Sequence, residues 1–192
     1  MHGYRKTIAV IVVALTVHSA STGFALEIGD AAPNFTVVDT EGEELTLQNA
    51  GKDADVVVVC FTCNRCPIAI AYEDRFIDFN KSFASKGVVF VALNCNNKSE
   101  NLEVMKQRAE EKGFNFTYAF DESGHAAKKY DAHVTPEMFV IHKGNVVYHG
   151  AFDDDLSDPR KHYVKDAVDA ILAGNKPAVA ETTPFGCGIR LK

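Results

Sequence analysis

The sequence predicts a single α/β domain in which helices flank a central mixed β-sheet. Two runs of mostly β-branched residues, at 55–61 and 88–93, are apolar apart from Asp55 at the start of the first. They show no polar alternation, which is typical of strands buried on both faces. Segments with helical spacing separate the predicted strands, and a chain of 192 residues suits one domain. Apolar residues make up 46% of the chain and charged residues 24%, so a substantial hydrophobic core is expected.

Residues 1–25 are predicted to be a secretory signal peptide. Two basic residues precede an apolar run at 8–17, and small and polar residues follow it. Cleavage is predicted after Ala25, with Ala20 as an alternative site. An uncleaved membrane anchor is a second alternative, although the apolar run is short for a membrane span. The prediction places the protein outside the cytoplasm, in a periplasmic or other extracytoplasmic compartment.

The charge of the chain limits its partners. The net charge is −6, and it becomes −8 without the signal segment, because Arg5 and Lys6 are the only charged residues in it. This acidic balance argues against nucleic acids and anionic membrane surfaces as partners. No later segment is long and apolar enough to be a membrane span.

The first half of the domain begins with a polar hairpin at 28–50, whose turn contains Gly42. The predicted buried strand at 55–61 follows. Pro67 then lies where the first turn of a helix is expected, a position that tolerates proline. Beyond it, apolar residues recur at helical spacing at positions 68, 71, 72, 76 and 79.

The second half continues the alternation and closes the predicted domain, 26–174. A Lys143-Gly144 turn joins two predicted strands, and Gly174 is predicted to be a helix C-cap. The remainder, 175–192, contains two prolines and two glycines and is predicted to be a tail. The predicted elements are a strand at 88–93, a helix at 99–112, a strand at 114–120, a helical turn at 123–130, strands at 138–142 and 145–149, and a helix at 163–173.

Four residues between the first buried strand and the following helix carry the predicted chemistry: Cys63, Asn64, Arg65 and Cys66. At a helix N-terminus, unpaired amides and the helix dipole stabilise a thiolate and lower its pKa, and Arg65 adds a positive charge. A disulfide between Cys63 and Cys66 would therefore open and close reversibly; the alternative is a permanent structural disulfide. Cys63 is expected to be more exposed, to gain most from the helix N-terminus and to attack, with Cys66 as the resolving sulfur.

No cofactor and no metal are predicted. Cys60, Cys63 and Cys66 have a spacing that also occurs in iron–sulfur proteins. However, Cys60 ends a β-branched run and is expected to point into the core, unlike a ligand in an irregular loop. Zinc is not expected either, since the histidines show no ligand spacing near the cysteines.

Two further cysteines make the total five, an odd number that leaves at least one thiol over. Cys95 follows the second buried strand, so it is either an accessory redox sulfur or a small buried apolar residue. Cys187 lies in the tail beside Phe185. We expect the tail to fold back and bring Cys187 near Cys95 or the Cys63–Cys66 pair; the alternative is an unpartnered surface thiol.

Three motifs together resemble the thioredoxin superfamily, most closely its redoxin or peroxiredoxin-like members related to alkyl hydroperoxide reductases. They are Ile-Gly-Asp-Ala-Ala-Pro-Asn-Phe at 28–35 with Asp-Thr-Glu-Gly at 39–42, the paired cysteines, and Tyr-Asp-Ala-His-Val-Thr-Pro at 130–136. The resemblance implies a thioredoxin-like fold with an N-terminal redoxin-type β-hairpin. It also implies that Pro136 follows a cis peptide bond and packs against the cysteine pair. Backbone groups near Thr135 would then face the sulfurs and could pair with a substrate peptide.

The chain departs from the resemblance at two points. Peroxiredoxins carry a Pro-x-x-x-Thr/Ser-x-x-Cys pattern, whereas residues 56–62 contain no proline and Thr62 directly adjoins Cys63. Thioredoxins bury an acid in the strand beneath the pair, but residues 56–59 are all valine. Peroxide reduction by the usual architecture is therefore not expected, and proton transfer must use water or another group.

The sequence favours a thiol–disulfide oxidoreductase that acts on protein or small-molecule thiols and disulfides, together with an unidentified reductant or oxidant. Two alternatives stay open. One is a thiol peroxidase in which Cys63 is oxidised to a sulfenic acid. The other is a binding module with a structural disulfide and no turnover.

Overall fold

The computed structural model describes residues 26–191, so the predicted signal peptide and its cleavage site lie outside the described residues. The strands are β1 (Thr36–Asp39), β2 (Glu44–Thr46), β3 (Val56–Thr62), β4 (Val88–Asn94), β5 (Thr117–Phe120), β6 (Val134–Thr135), β7 (Glu137–His142), β8 (Asn145–Gly150) and β9 (Cys187–Gly188). The helices are α1 (Leu47–Ala50), α2 (Pro67–Phe83), α3 (Leu102–Lys112), α4 (His125–Tyr130) and α5 (Tyr163–Leu172), and a 3₁₀ turn at Ala84–Lys86 extends α2.

Seven strands form the main sheet in the order β2-β1-β5-β4-β3-β7-β8. Strands β3, β4 and β5 are parallel neighbours, whereas β7 and β8 extend the sheet antiparallel on one side and β1 and β2 on the other. The predicted mixed sheet with flanking helices is thus confirmed. The predicted hairpin is β1 and β2, with Val37 opposite Leu45 and Gly42 at a φ of 88° in the turn.

Strand β3 lies at the centre of the sheet because its β-branched run can be covered on both faces. All seven of its residues are buried. Val56, Val58 and Cys60 face a core formed with α2 and α5, whereas Val57, Val59 and Phe61 face a core formed with α4. The prediction that Cys60 points into the core is confirmed.

Several boundaries differ from the prediction for local reasons. Helix α3 begins at Leu102, because the Asn101 side chain caps it by accepting the Val104 N–H at 3.0 Å. Strand β5 begins only at Thr117, because the Phe114 N–H still bonds to the Ala109 carbonyl, 2.9 Å away, and holds the chain in the helix C-cap. The short elements α1, β6 and β9 were not predicted.

The predicted tail packs against the domain. The Thr182 hydroxyl accepts the Ala151 N–H at 2.9 Å and lies 2.6 Å from the Tyr148 hydroxyl. Further along, β9 pairs with β6 in a second, two-stranded sheet. The prediction that the tail folds back is confirmed. No helix within residues 26–191 is long and apolar enough to cross a membrane.

Candidate active site

The paired cysteines lie where β3 ends and α2 begins. Pro67 is the first helical residue and Cys66 is the N-cap, in an extended conformation that lets its sulfur accept the Ala69 N–H at 3.4 Å. The parallel strands β3 and β4 end at the same sheet edge, which is where α/β folds usually react. The predicted position of Cys63 and Cys66 between a buried strand and a helix is therefore what the structure shows.

Cys66 is the more enclosed sulfur of the pair, with only 2% of the residue exposed. Its Sγ lies 3.0 Å from the carbonyl oxygen of Thr135 and 2.6 Å from Sγ of Cys187. All five cysteines are free thiols in this structure. Cys66 is therefore surrounded by a helix N–H, a carbonyl oxygen and a second thiol.

Cys63 is half-buried and reaches the surface of the same site. Its Sγ lies 3.6 Å from the Thr135 hydroxyl and accepts a hydrogen bond from the Arg65 backbone N–H. The Arg65 side chain is exposed. The expectation that Cys63 is the more accessible sulfur is confirmed.

The relative pKa values of Cys63 and Cys66 differ from the prediction. The hydrogen bond between them lowers the pKa of Cys66 and raises the pKa of Cys63, and the Cys187 thiol and Ala69 N–H stabilise the Cys66 thiolate further. The prediction that Cys63 gains most from the helix N-terminus is wrong, because Cys66 itself occupies the cap.

Because the two sulfurs interact, the pair titrates as a unit, and its singly protonated state has two forms, according to which sulfur holds the proton. When that proton is on Cys63, the Cys66 thiolate is stabilised by the donors around it. When it is on Cys66, that thiol donates to the Thr135 carbonyl oxygen at 3.0 Å, and Cys63 is the thiolate. The Thr135 carbonyl thus supports the state in which the accessible sulfur is reactive.

The Thr135–Pro136 peptide bond is cis, as the resemblance implied, and both residues are buried. The loop before Pro136 is hydrogen-bonded to the buried side chain of Glu137, which is 1% exposed. One carboxylate oxygen of Glu137 accepts the His133 and Val134 N–H groups at 2.7 and 3.0 Å. Glu137 is not among the predicted site residues, although its place directly after Pro136 was a usable signal.

The other carboxylate oxygen of Glu137 lies 2.6 Å from the His149 Nε2, and the His149 ring stacks on Phe139. Burial raises the pKa of Glu137, but the hydrogen bonds from His149, Val134 and His133 outweigh it, so the pKa is lowered overall. The charged Glu137 side chain therefore links the loop before Pro136 to β8.

Glu100 is a second buried acid that is not among the predicted site residues. Its carboxylate accepts the Asn64 backbone N–H at 3.1 Å and the Asn94 side-chain amide at 2.6 Å. The Tyr118 hydroxyl donates to the Asn64 side-chain oxygen at 2.6 Å. These bonds fix the turn between the cysteines, and the charge of Glu100 contributes to the raised pKa of Cys63. Glu100 follows the end of β4, so its proximity to the end of β3 could have been anticipated.

Cys95 and Thr62 lie beside the site and bond to each other. The Thr62 carbonyl accepts the Cys95 N–H at 3.2 Å and lies 3.7 Å from its Sγ. Cys95 is 1% exposed, and burial raises its pKa. These features fit a small buried apolar residue better than an accessory redox sulfur.

A cavity of about 160 Å³ lies over the paired cysteines, and Arg65, Cys95 and the tail residues 187–190 help to line it. It is large enough for a small thiol or one side chain of a substrate. Within residues 26–191, no three His, Cys, Asp or Glu side chains are grouped so that they could hold a metal ion.

The chain resembles known proteins over most of its length. It is 26% identical over 166 residues to the thiol-disulfide oxidoreductase ResA of Bacillus cereus (strain ATCC 10987 / NRS 248), covering 80% of this chain and 92% of that protein. An uncharacterized conserved protein from Geobacillus kaustophilus superimposes with a TM-score of 0.81 at 30% identity, over 87% of this chain and 93% of that one. A thiol:disulfide interchange protein from Bacteroides sp. shares the fold, with a TM-score of 0.58 at 18% identity, over 66% of this chain and 82% of that one.

The fold and the relatives define an oxidoreductase of the thioredoxin and redoxin type. More specifically, the AhpC/TSA family model matches residues 28–149, and the chain belongs to that family. The match ends before the tail, so Cys187 lies outside the region that the family model describes.

Proposed function

We propose that the protein is a thiol–disulfide oxidoreductase that uses a reversible disulfide between Cys63 and Cys66. One observation carries the proposal: an accessible sulfur and a buried, helix-capping sulfur both lie against Thr135, Cys63 beside its hydroxyl and Cys66 beside its carbonyl oxygen. A purely structural disulfide needs neither an exposed sulfur nor a stabilised thiolate. The thiols and disulfides of proteins or small molecules are the substrate class.

In the reductive direction, the Cys63 thiolate attacks a substrate disulfide. The substrate S–S bond breaks, a mixed disulfide forms on Cys63, and one substrate sulfur leaves as a thiolate and takes up a proton. Cys66 then attacks Cys63, so the Cys63–Cys66 bond forms and the second substrate sulfur leaves. Two electrons pass to the substrate, and the same steps in reverse oxidise a dithiol.

The reduction potential of the pair tests this proposal. We expect a value between about −300 and −120 mV, the range of exchange-active pairs. It is measured by equilibrating the Cys187→Ser full chain with glutathione or dithiothreitol buffers and quantifying alkylated Cys63 and Cys66. The low pKa of Cys66 favours the less reducing part of this range. A potential far below −300 mV with slow exchange would instead support the structural-disulfide alternative.

A second candidate function is a thiol peroxidase, and one contact favours it. The Thr135 hydroxyl lies 3.6 Å from the Cys63 sulfur, so a hydroxyl is available beside that cysteine although the upstream threonine pattern is missing. In that reaction a peroxide would oxidise Cys63 to a sulfenic acid, and another thiol would reduce it with loss of water.

We further propose that the protein acts outside the cytoplasm, because residues 1–25 have the pattern of a secretory signal and disulfide chemistry suits an exported protein. The mature chain should begin near Leu26. Intact-mass measurement of protein recovered from the extracytoplasmic fraction checks this. Recovery of the full-length mass from the cytosol would contradict both the cleavage and the compartment.

A further inference from the structure

The tail occupies the backbone edge that faces the paired cysteines. Strand β9 pairs antiparallel with β6, which places Cys187 opposite Thr135. The Thr135 hydroxyl lies 3.5 Å from the Cys187 carbonyl oxygen, and the Ile189 N–H donates to the His133 carbonyl at 2.8 Å. Pairing with an exposed strand edge is a common way to bind an extended peptide. The chain therefore binds its own tail at the edge beside its reactive sulfurs.

Cys187 is held in this position from both sides. Before it, the Thr182 N–H donates to the His149 carbonyl at 3.0 Å, and the His149 N–H to the Ala180 carbonyl at 3.0 Å. After it, Ile189 and Leu191 pack against the core on the α4 side of the sheet. Cys187 is thus clamped at the site rather than brought there by a free chain end.

Close backbone contact at Gly186 also fits a specific docking site. A Cβ atom added there would lie 2.0 Å from the Thr135 carbonyl oxygen, too close for any side chain. At Gly188, two residues further on, an added Cβ would meet nothing within 4 Å. Only the first of these positions requires glycine for the tail to dock.

Cys66 is the central sulfur of three. It is hydrogen-bonded to Cys63 and lies 2.6 Å from the Cys187 sulfur. Cys95, by contrast, is directed to the Thr62 carbonyl. Cys66 therefore lies beside both sulfurs with which it could form a disulfide.

We propose that Cys187 is a third redox residue, which takes over the disulfide from the Cys63–Cys66 pair by attacking Cys66. This inference rests on the proposed thiol–disulfide function. The Cys187 thiolate attacks the Cys66 sulfur, the Cys66–Cys187 bond forms, and the Cys63–Cys66 bond breaks. Cys63 leaves as a thiolate and takes up the proton that Cys187 has lost. One disulfide and one thiol exist before and after the step, so no external oxidant is needed.

The exchange moves the disulfide to Cys187, where an external thiol can reach and reduce it. Cys66 is almost fully buried, whereas Cys187 is half-buried in the tail and lines the open cavity. An external thiol can attack Cys187 and release Cys66, whose stabilised thiolate is a good leaving group. Meanwhile Cys63 is again a thiol and available to the substrate.

The first test maps the disulfides formed by the full chain. Wild-type protein and the Cys63→Ser and Cys187→Ser variants are oxidised mildly in glutathione buffer, quenched with acid, alkylated and digested without reduction. We expect a Cys66–Cys187 linkage in wild type and in Cys63→Ser, and only a Cys63–Cys66 linkage in Cys187→Ser. A wild-type map with Cys63–Cys66 alone, together with a Cys63→Ser protein that forms no linkage to Cys187, overturns the proposal.

The second test asks whether tail docking creates the linkage. In the Cys63→Ser background, Gly186→Ala should displace the tail while leaving every other sulfur in place, whereas Gly188→Ala is the matched control. The concentration of reduced glutathione that half-reduces the Cys66–Cys187 bond should fall about tenfold for Gly186→Ala, because the effective concentration of Cys187 falls. It should change less than about twofold for Gly188→Ala. Equal values for both variants overturn the proposal.

The two tests separate this inference from the proposed function. If Cys187→Ser still exchanges disulfides with a substrate through Cys63–Cys66 but wild type forms no Cys66–Cys187 bond, only the role of Cys187 is wrong. If Cys187→Ser forms no Cys63–Cys66 bond and exchanges with no substrate, the proposed function is wrong as well.

Discussion

Replacing Cys66 with serine is expected to turn the protein into a trap for its substrates, whereas replacing Cys63 with serine should abolish capture. The reason is the difference in accessibility: Cys63 reaches the surface, and Cys66 is 2% exposed beneath it. Without Cys66, the mixed disulfide on Cys63 loses its positioned resolving thiol, and its release should slow by about a hundredfold or more. Non-reducing gels and mass mapping of the captured species measure this.

The Cys66→Ser variant must be tested with and without Cys187, because Cys187 lies beside position 66 and its thiol could replace the missing resolving thiol. Cys66→Ser with Cys187→Ser should accumulate at least as much mixed disulfide as Cys66→Ser alone. Capture on Cys66 in the Cys63→Ser protein would contradict the assignment of the attacking sulfur. If Cys66→Ser instead turns over hydroperoxide rapidly with a thiol reductant and captures no disulfide substrate, the peroxidase candidate replaces the oxidoreductase.

The central sheet and the position of the cysteine pair could be predicted because local patterns determine them. The β-branched run of β3 can be buried only as a central strand, and Pro67 marks the start of α2. The loop between them therefore had to carry Cys63 and Cys66 to the edge of the sheet. Which of the two sulfurs has the lower pKa was not predictable in this way, because it depends on which sulfur occupies the N-cap.

The docking of the tail is a long-range feature without a periodic signal. Cys187 lies 121 residues from Cys66 along the chain, and β9 has only two residues. The prolines and glycines of this segment are also typical of a flexible tail. The docking also requires that Gly186 approach the Thr135 carbonyl closely, and such a contact is visible only in three dimensions.

The buried positions of Glu100 and Glu137 also could not be predicted from local sequence patterns. Strand β3 carries no acid, and the structure instead supplies Glu100 and Glu137 from the segments that follow β4 and Pro136. Their places in the sequence, directly after Pro136 and after the end of β4, suggest proximity to the site, but their burial depends on partners in distant elements. Glu137 is bonded to His149, which also anchors the tail, so one charge supports both the Pro136 loop and the docked tail.

Replacing Glu137 with alanine is therefore expected to destabilise the fold by about 3–5 kcal/mol, because several buried donors lose their charged acceptor at about 1–3 kcal/mol each. The change would leave two backbone N–H groups and the His149 ring without their acceptor. Glu137→Gln, which keeps the volume and one oxygen acceptor, should cost about 1–3 kcal/mol. Urea unfolding monitored by circular dichroism gives both values, and Glu41→Gln in the exposed β1–β2 turn is the control, expected to be close to wild type.

The stability difference between wild type and Glu137→Gln should depend on pH. The pKa of Glu137 is lower in the folded protein than its ordinary value of 4.5, so the charged carboxylate stabilises the fold above that pH. This contribution is lost as the pH falls from the unfolded-state pKa through the folded-state pKa, because the folded protein then has to bind the proton as well. Unfolding curves at pH 7 and pH 3 should show a large difference at the first pH and a smaller one at the second. If the difference in unfolding free energy between the two proteins stays constant or grows on acidification, the charge of Glu137 does not stabilise the Pro136 loop.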